Sequence, residues 1–236
     1  MQLYIIRHAQ SSNNALTDWT ERVSDPPLTE LGERQAARLA EYLASTPDAA
    51  EQPGPGAEYV NRTGFRFTRL FTSAMRRSLQ TAAPIGEAIG PQPEVWVDIH
   101  EIGGVFLDDH EGRGLPGLKR AELAAQFPMI RLSAEVTEEG WWNRQRETEE
   151  EWLERAARVA AELRNQYAGT DERIGLVTHG GFAAMLLYAL FGHAKPGNVI
   201  LSHRNTAITR LDFYDDGTTY MQYFNRVEHL PTELLS

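Results

Sequence analysis

Four short, mostly apolar runs occur along the chain, and each is bounded by polar or glycine residues. They occupy residues 3–6, 69–72, 95–99 and 174–178. Continuous runs of this length are typical of strands buried in a parallel sheet, because helices cover both faces of such a strand. The pattern therefore predicts an α/β protein with a mostly parallel central sheet.

Two longer segments show helical spacing of apolar residues instead. The first covers residues 28–43, with Thr29 as its N-cap, and the second follows residue 148. The buried side of the first helix is predicted to carry Ala36, Ala37, Leu39, Ala40 and Leu43, and that of the second Trp152, Ala156, Val159, Ala160 and Leu163. Trp152 is thus interpreted as a core residue.

Glycine, proline and acidic residues mark the connections between these elements. Asp215, Asp216 and Gly217 predict a hairpin turn between strands at 207–213 and 219–224. Residues 47–64 are rich in Pro and Gly and are interpreted as a surface insertion, and residues 98–144 as an irregular, lid-like region over a pocket. The whole chain, 1–236, is predicted to form a single domain.

Polar residues of chemical interest follow each of the four apolar runs. Arg7 and His8 come after the first, residues 73–77 after the second, Glu101 after the third and His179 after the fourth. Open α/β sheets bind ligands beyond the carboxyl ends of their strands. We therefore expect the two histidines, an arginine or two and a carboxylate to share one pocket.

This set of side chains suits the transfer of a phosphoryl group. Arginine matches phosphate oxygens with two parallel hydrogen bonds, and imidazole is a nucleophile that is neutral near pH 7. Small polar residues at 11–14 follow Arg7 and His8, where a helix would begin and offer free N–H groups to an anion.

Four segments of the chain resemble, in order, the motifs of the histidine phosphatase (phosphoglycerate mutase-like) superfamily. The run from Arg7 to Asn14 is similar to Arg-His-Gly-x-Thr-x-x-Asn, with Ala9 in place of Gly and Ser11 in place of Thr. The other three segments are residues 25–36, similar to Leu-Thr-x-x-Gly-x-x-Gln-Ala, residues 72–82, similar to Ser-Ser-x-x-x-Arg-Ala-x-x-Thr-Ala, and His179-Gly180.

The resemblance implies a three-layer α/β/α sandwich and assigns roles to individual residues. His8 would be the nucleophile that forms a phosphohistidine. The phosphate would be bound by Arg7, Ser11, Asn14, Arg77, His179 and Gly180, with the catalytic group comprising His8, Glu101, His179, Arg7 and Arg77. Arg76 competes with Arg77, but Arg77 stands four residues before Thr81, as the family's phosphate-binding arginine does.

A leaving alkoxide needs a proton, and a carboxyl group in a partly closed pocket can supply one. Glu101 is the candidate, since it precedes Ile102-Gly103-Gly104 and so resembles the family's Leu-x-Glu followed by Gly. Asp98 and Glu111 are the alternatives that the sequence leaves open. His100, His193, His203 and His229 are interpreted as structural or surface residues.

Composition narrows the chemistry further. The 236 residues include no cysteine, which excludes a disulfide framework, a cysteine nucleophile and a cysteine zinc site. The net charge of -10 argues against a nucleic-acid or anionic membrane partner. No signal peptide or membrane span precedes the first strand, so a cytoplasmic location is expected. We assign no metal and no cofactor, and a homo-oligomer is left open.

The sequence thus predicts a metal-independent phosphomonoesterase that acts on a small phosphorylated metabolite. The alternatives are a phosphoglycerate mutase-type phosphotransferase and a non-catalytic phosphate-binding domain. Residues 98–150 carry twelve acidic and six basic side chains, and the Asn-Glu-Arg-x-Tyr-Gly run of glycolytic mutases is absent, which favours the hydrolase. Ala9 replaces a glycine, and its methyl group is tolerated where the backbone φ is negative. We therefore do not expect this replacement to abolish activity.

Overall fold

A computed structural model describes residues 1–45, 65–107, 113–193 and 197–236. Its strands are β1 (Gln2–Arg7), β2 (Arg69–Thr72), β3 (Pro93–Val95), β4 (Arg173–Thr178), β5 (Ile208–Phe213) and β6 (Thr219–Arg226). Its α-helices are α1 (Glu30–Ser45), α2 (Arg76–Ile89), α3 (Arg120–Gln126), α4 (Glu149–Tyr167) and α5 (Gly180–Leu190). The predicted insertion at 47–64 lies outside the described residues.

All six described strands belong to one sheet, in the order β3, β2, β4, β1, β5, β6. The first four are mutually parallel, whereas β5 is antiparallel to β1 and β6 to β5. Helices α1 and α2 pack on one face of the sheet, and α4 and α5 pack on the other. The predicted three-layer α/β/α sandwich with a mostly parallel sheet is confirmed.

The central strand β1 shows why its sequence has no polar interruption. Tyr4 and Ile6 join the apolar cluster formed with α1 and α2, whereas Leu3 and Ile5 join the cluster formed with α4 and α5. Successive strand residues point to opposite faces, and both faces are covered here. This double burial fixes the register in which Arg7 pairs with Thr178 of β4.

The third predicted strand, over 95–99, is wrong for most of its length. Strand β3 ends at Val95, and Val97–Ile99 forms a 3-10 turn. β3 is the edge strand beside β2, and its outer side forms one isolated bridge, between Glu94 and Arg131. Beyond it, the carbonyl oxygens of residues 98–100 accept hydrogen bonds from the side chains of Arg155 and Thr178 instead of from a neighbouring strand.

The helix predicted after residue 148 is confirmed as α4, but its buried side differs from the prediction. Ala156, Val159, Ala160 and Leu163 are buried as expected. Trp152 is only half-buried, so its interpretation as a core residue is wrong. Arg155 is fully buried on this helix, because its guanidinium finds an acidic partner and two carbonyl oxygens. Apolar spacing cannot reveal a buried arginine.

The other predicted strands, the first helix and the hairpin turn are confirmed within two residues. Ala37 of α1 is exposed, contrary to prediction, and the region 98–144, predicted to be irregular, contains the helix α3. Thr29 accepts a hydrogen bond from the Gly32 N–H at the start of α1, and the turn between β5 and β6 contains Gly217 at a φ of 83°. In the described part of the chain, no helix is long and apolar enough to span a membrane.

Candidate active site

The two histidines predicted to share a pocket lie side by side at one edge of the sheet. β1 and β4 are neighbours, so the residues that follow them meet, and the His8 N–H donates to the Thr178 carbonyl at 2.8 Å. The rings of His8 and His179 are 5.0 Å apart between centroids, and both side chains are buried. The parallel pairing of the two strands therefore produces this juxtaposition.

The contacts of His8 define which ring nitrogen can react. Nδ1 lies 2.7 Å from the carbonyl oxygen of Ala9, so this nitrogen carries the proton and donates it. Nε2 then holds a lone pair, and it accepts a hydrogen bond of 3.1 Å from Nε of Arg77. Burial, Arg77 and Arg7 all lower the pKa of His8 well below its usual value, so the ring is neutral near pH 7.

The backbone around Ala9 accommodates the alanine that replaces the glycine of the first motif. Ala9 is buried and has a negative φ, as its tolerance requires. Its N–H donates to Oγ1 of Thr81, and the Thr81 hydroxyl donates in turn to the Arg77 carbonyl. Thr81 thus connects the backbone after His8 with the helix that carries Arg77.

His179 caps the N-terminus of α5 and lies behind His8. Its Nε2 is 2.9 Å from Oγ of Ser73 and 3.2 Å from Oγ of Ser78. Its Nδ1 is buried and has no hydrogen-bond partner among the described residues. Burial, followed by electrostatic interactions with Arg77 and with the His8 ring, lowers the pKa of His179 well below its usual value.

Two arginines face this histidine pair. Nη1 of Arg7 donates to the carbonyl of His203 at 2.6 Å, and Nε of Arg7 is buried without a partner in the described part of the chain. Arg77 is held by Asp25, whose Oδ1 lies 3.8 Å from Nη1. Arg76 is half-buried, and its Nη2 donates to Oε1 of Gln126 at 3.3 Å instead of facing the histidines, so the choice of Arg77 over Arg76 agrees with the geometry.

A cavity of about 140 Å³ opens beside these groups. The sequence-predicted residues that line it are Arg7, His8, Ser11, Asn14, Arg77 and Glu101. His179 and Gly180 do not line it: His179 stands behind His8, and Gly180 packs against Arg7, since a Cβ there would lie 3.3 Å from Nε of Arg7. Ser11 donates its hydroxyl to Oδ1 of Asn14, which also accepts from Asn205.

Glu101 reaches the cavity from the loop after the 3-10 turn. Its Oε1 accepts hydrogen bonds from the N–H groups of Phe182 at 2.9 Å and Ile102 at 3.0 Å, and Oε2 accepts from Gly181 at 3.3 Å. Of the two alternatives, Asp98 lies elsewhere, 3.3 Å from Arg158, and Glu111 lies outside the described residues. Glu101 is thus the predicted acid that the described structure brings to the cavity.

The mouth of the cavity contains residues that sequence reasoning missed. Trp19, Arg22 and Phe106 line it, and the Arg22 guanidinium lies 5.5 Å from the ring centre of Phe106. Trp19 is 66% exposed, which is unusual for tryptophan. Both Trp19 and Arg22 lie between the first two motifs, where neither apolar spacing nor the family pattern marks them.

Other motif residues prove to be structural. Gly32 allows α1 to approach the chain after β1, because a Cβ there would lie 2.1 Å from the Gln10 carbonyl oxygen. Gln35 is fully buried, accepts from the Gln10 N–H and donates to the Leu234 carbonyl. His100, His203 and His229 are buried, and His193 is exposed, which agrees with their structural interpretation.

The family model of the histidine phosphatase superfamily (branch 1) matches residues 3–51 and 57–226 of the chain. The chain therefore belongs to this superfamily.

Three relatives illustrate the similarity. A glucosyl-3-phosphoglycerate phosphatase from Mycolicibacterium vanbaalenii is 28% identical over 81% of this chain and 74% of the relative. A 2,3-bisphosphoglycerate-dependent phosphoglycerate mutase from Dichelobacter nodosus is 29% identical over 53% of this chain and 42% of the mutase. A PE-PGRS family protein from Mycobacterium tuberculosis is 33% identical over 44% of this chain, and the match spans only 15% of that protein.

Solved structures extend the likeness to the whole fold. A mycobacterial glucosyl-3-phosphoglycerate phosphatase in complex with VO3 has a TM-score of 0.57 and 22% identity, over 96% of this chain and 99% of that chain. A phosphoserine phosphatase from Entamoeba histolytica in complex with 3-phosphoglyceric acid has a TM-score of 0.57 and 19% identity, over 98% and 99%. At these identities the likeness concerns the fold.

Proposed function

We propose that this member of the histidine phosphatase superfamily is a phosphomonoester hydrolase that forms a phosphohistidine intermediate on His8. The observation that carries the proposal is the state of the His8 ring. Nδ1–H is engaged by the Ala9 carbonyl, and the lone pair of Nε2 lies at the cavity beside two arginines. A neutral, oriented imidazole next to guanidinium groups is what nucleophilic attack on a phosphate ester requires.

The first step would be displacement of the leaving group by His8. Nε2 forms a bond to phosphorus while the bond from phosphorus to the ester oxygen breaks. Arg77 keeps its proton, and its Nε–H then donates a hydrogen bond to a phosphate oxygen instead of to His8. The buried Nε of Arg7, which has no partner among the described residues, is a further donor that a bound phosphate would satisfy. Asn14, through its amide nitrogen, and Ser11 would complete the phosphate site.

Glu101 would protonate the leaving oxygen and later take a proton from the attacking water. Oε1 accepts two backbone hydrogen bonds, whereas Oε2 accepts one, the longer. Oε2 is therefore the oxygen that we expect to carry the proton. In the second step water attacks phosphorus, Glu101 accepts the water proton, and the bond to Nε2 breaks. Inorganic phosphate leaves, and His8 returns to its neutral form.

The substrate is proposed to be a small phosphorylated metabolite. Two phosphatases that are similar to this chain are named for glucosyl-3-phosphoglycerate and phosphoserine, which are both monoesters of small polar molecules. The cavity of about 140 Å³ suits a phosphoryl group with a compact leaving group beside it. Trp19, Arg22 and Phe106 at the mouth would contact that leaving group.

The proposal is tested by His8→Ala together with trapping of the intermediate. We expect phosphatase activity to disappear and the fold to remain, and we expect brief incubation of the wild type with labelled substrate to leave an acid-labile phosphoryl group on His8. His193→Ala, at an exposed histidine, is the control and should keep full activity. Label on another residue, or an active His8→Ala variant, would contradict the assignment.

A mutase-type phosphotransferase is the second candidate, because several relatives are mutases. A mutase must keep water from the phosphohistidine while its substrate reorients. We expect steady release of inorganic phosphate and little interconversion of 3- and 2-phosphoglycerate, even with 2,3-bisphosphoglycerate as primer. Isomerisation faster than phosphate release would favour the mutase instead.

A further inference from the structure

A buried ion pair lies directly behind the loop that carries Glu101. Arg155 belongs to α4, and Glu147 precedes this helix by two residues. Their side chains are 1% and 4% exposed. Nε and Nη2 of Arg155 donate to the two carboxylate oxygens of Glu147 at 2.7 Å and 2.6 Å, which is a bidentate arrangement. Burial raises the pKa of Glu147, but the bonds from Arg155 and His100 outweigh it and lower this pKa to about 2.

The same two residues hold the loop on both sides of Glu101. Nη1 of Arg155 donates to the carbonyl oxygens of Asp98 at 2.7 Å and His100 at 3.0 Å. Glu147 binds Gly103 twice, because its Oε2 accepts from the Gly103 N–H and its own N–H donates to the Gly103 carbonyl. His100, just before Glu101, and Gly103, two residues after it, are thus both hydrogen-bonded to one ion pair.

Arg155 also contacts the helix to which Glu101 binds. Its guanidinium carbon lies 4.5 Å from the ring centre of Phe182, and the Phe182 N–H donates to Glu101. One side chain therefore sets the position of the Glu101 loop relative to the N-terminus of α5. Stability alone does not explain such a pair, since a buried ion pair is often no more stabilising than apolar residues of similar volume.

We propose that Arg155 and Glu147 are positioning residues for the reaction: they hold the Glu101 carboxyl where it can protonate the leaving group. This inference rests on the proposed role of Glu101 as proton donor. It follows that loss of the pair should impair the substrates that need a proton and spare those that do not. Alkoxides need protonation, whereas p-nitrophenolate is a good leaving group that needs little.

The test compares kcat/KM for glycerol 2-phosphate and p-nitrophenyl phosphate in Glu101→Gln and in the double variant Arg155→Met/Glu147→Leu. In both, we expect a loss of about tenfold or more on glycerol 2-phosphate and a change of less than about threefold on p-nitrophenyl phosphate. Because the three residues act through one carboxyl group, adding Glu101→Gln to the double variant should cause little further loss.

The chain offers a matched control in a second buried ion pair. Arg210 and Asp212 of β5 are 2% and 6% exposed, and the Arg210 guanidinium carbon lies 5.4 Å from the ring centre of Tyr4. Arg210→Met/Asp212→Leu should leave the ratio of the two kcat/KM values unchanged. Circular dichroism and thermal unfolding of each variant establish that it is folded. Should the Arg155 double variant not fold, Arg155→Lys, which keeps the charge but lacks the planar fork, is expected to show the same selective loss.

The outcomes separate the two claims. If Glu101→Gln impairs only glycerol 2-phosphate but the folded Arg155 variant impairs both substrates equally, or neither, the positioning role is wrong and the proposed function stands. If Glu101→Gln itself impairs both substrates equally, the role of Glu101 as proton donor is wrong, and the inference falls with it.

Discussion

The buried histidines predict a marked loss of stability on mild acidification. Folding lowers the pKa of His203 to about 4, through burial and the charge of Arg7, and that of His229 to about 4, through burial and the charge of Arg38. Below pH 6.5, the unfolded chain therefore binds protons that the folded chain does not. The free energy of unfolding must fall as the pH decreases from about 6.5 to about 4.

The size of the effect follows from the two pKa values. With 6.5 in the unfolded chain and about 4 in the folded protein, each histidine removes about 2 kcal/mol of stability between pH 7 and pH 5. The lowered pKa values of His8, His100 and His179 act in the same direction. Asp25 acts in the opposite direction, because burial raises its pKa above the unfolded value.

Urea unfolding at pH 7 and pH 5 measures this dependence. His229→Gln should reduce the difference between the two free energies of unfolding by about 2 kcal/mol relative to the wild type. His193→Gln, at an exposed position, is the control that should leave the difference unchanged. The reasoning is refuted if His229→Gln loses as much stability between the two pH values as the wild type does.

Three further predictions concern the site and its supports. Activity should survive a chelator such as EDTA, and restoration of a lost activity by Mg²⁺ would contradict the mechanism. Gly32→Ala should lower the free energy of unfolding by about 1–3 kcal/mol in urea titrations, because its Cβ would lie 2.1 Å from the Gln10 carbonyl oxygen; unchanged stability would contradict the close approach. Gly181→Ala should reduce turnover of glycerol 2-phosphate more than that of p-nitrophenyl phosphate, since its Cβ would lie 2.6 Å from Oε1 of Glu101; an unchanged ratio would argue against this contact.

The sequence predicted the sheet because burial on both faces leaves no charged position between residues 3 and 6 of β1 or between residues 174 and 177 of β4. The same logic failed after Val95, where the chain is mostly apolar but the carbonyl groups of residues 98–100 accept hydrogen bonds from side chains. Apolar patterning reports burial, and it does not report what the backbone pairs with. A strand and a buried turn are therefore indistinguishable over such a short run.

Two histidines that follow paired strands could be predicted to meet, whereas residues of a loop that no motif marks could not be predicted to reach the cavity. His8 and His179 meet because β1 and β4 pair in parallel, and a strand-end rule captures this. Trp19 and Arg22 reach the cavity mouth from an irregular segment, and no periodicity links them to it. Arg155 was missed for another reason, since a charged residue on a helix is expected to be exposed unless its partner is known.

The N-terminus of α5 connects the two chemical halves of the site. His179 caps this helix beside His8, and the next two residues after Gly180 donate their N–H groups to Glu101. The nucleophile and the proposed proton donor thus both lie at one helix end. Arg155 packs on Phe182 and holds the Glu101 loop against this end. Because these contacts are all made by the protein's own residues, the separation of the two groups is set before substrate binds. A substitution of Phe182, which leaves both His8 and Glu101 unchanged, should therefore alter the dependence of the rate on the leaving group.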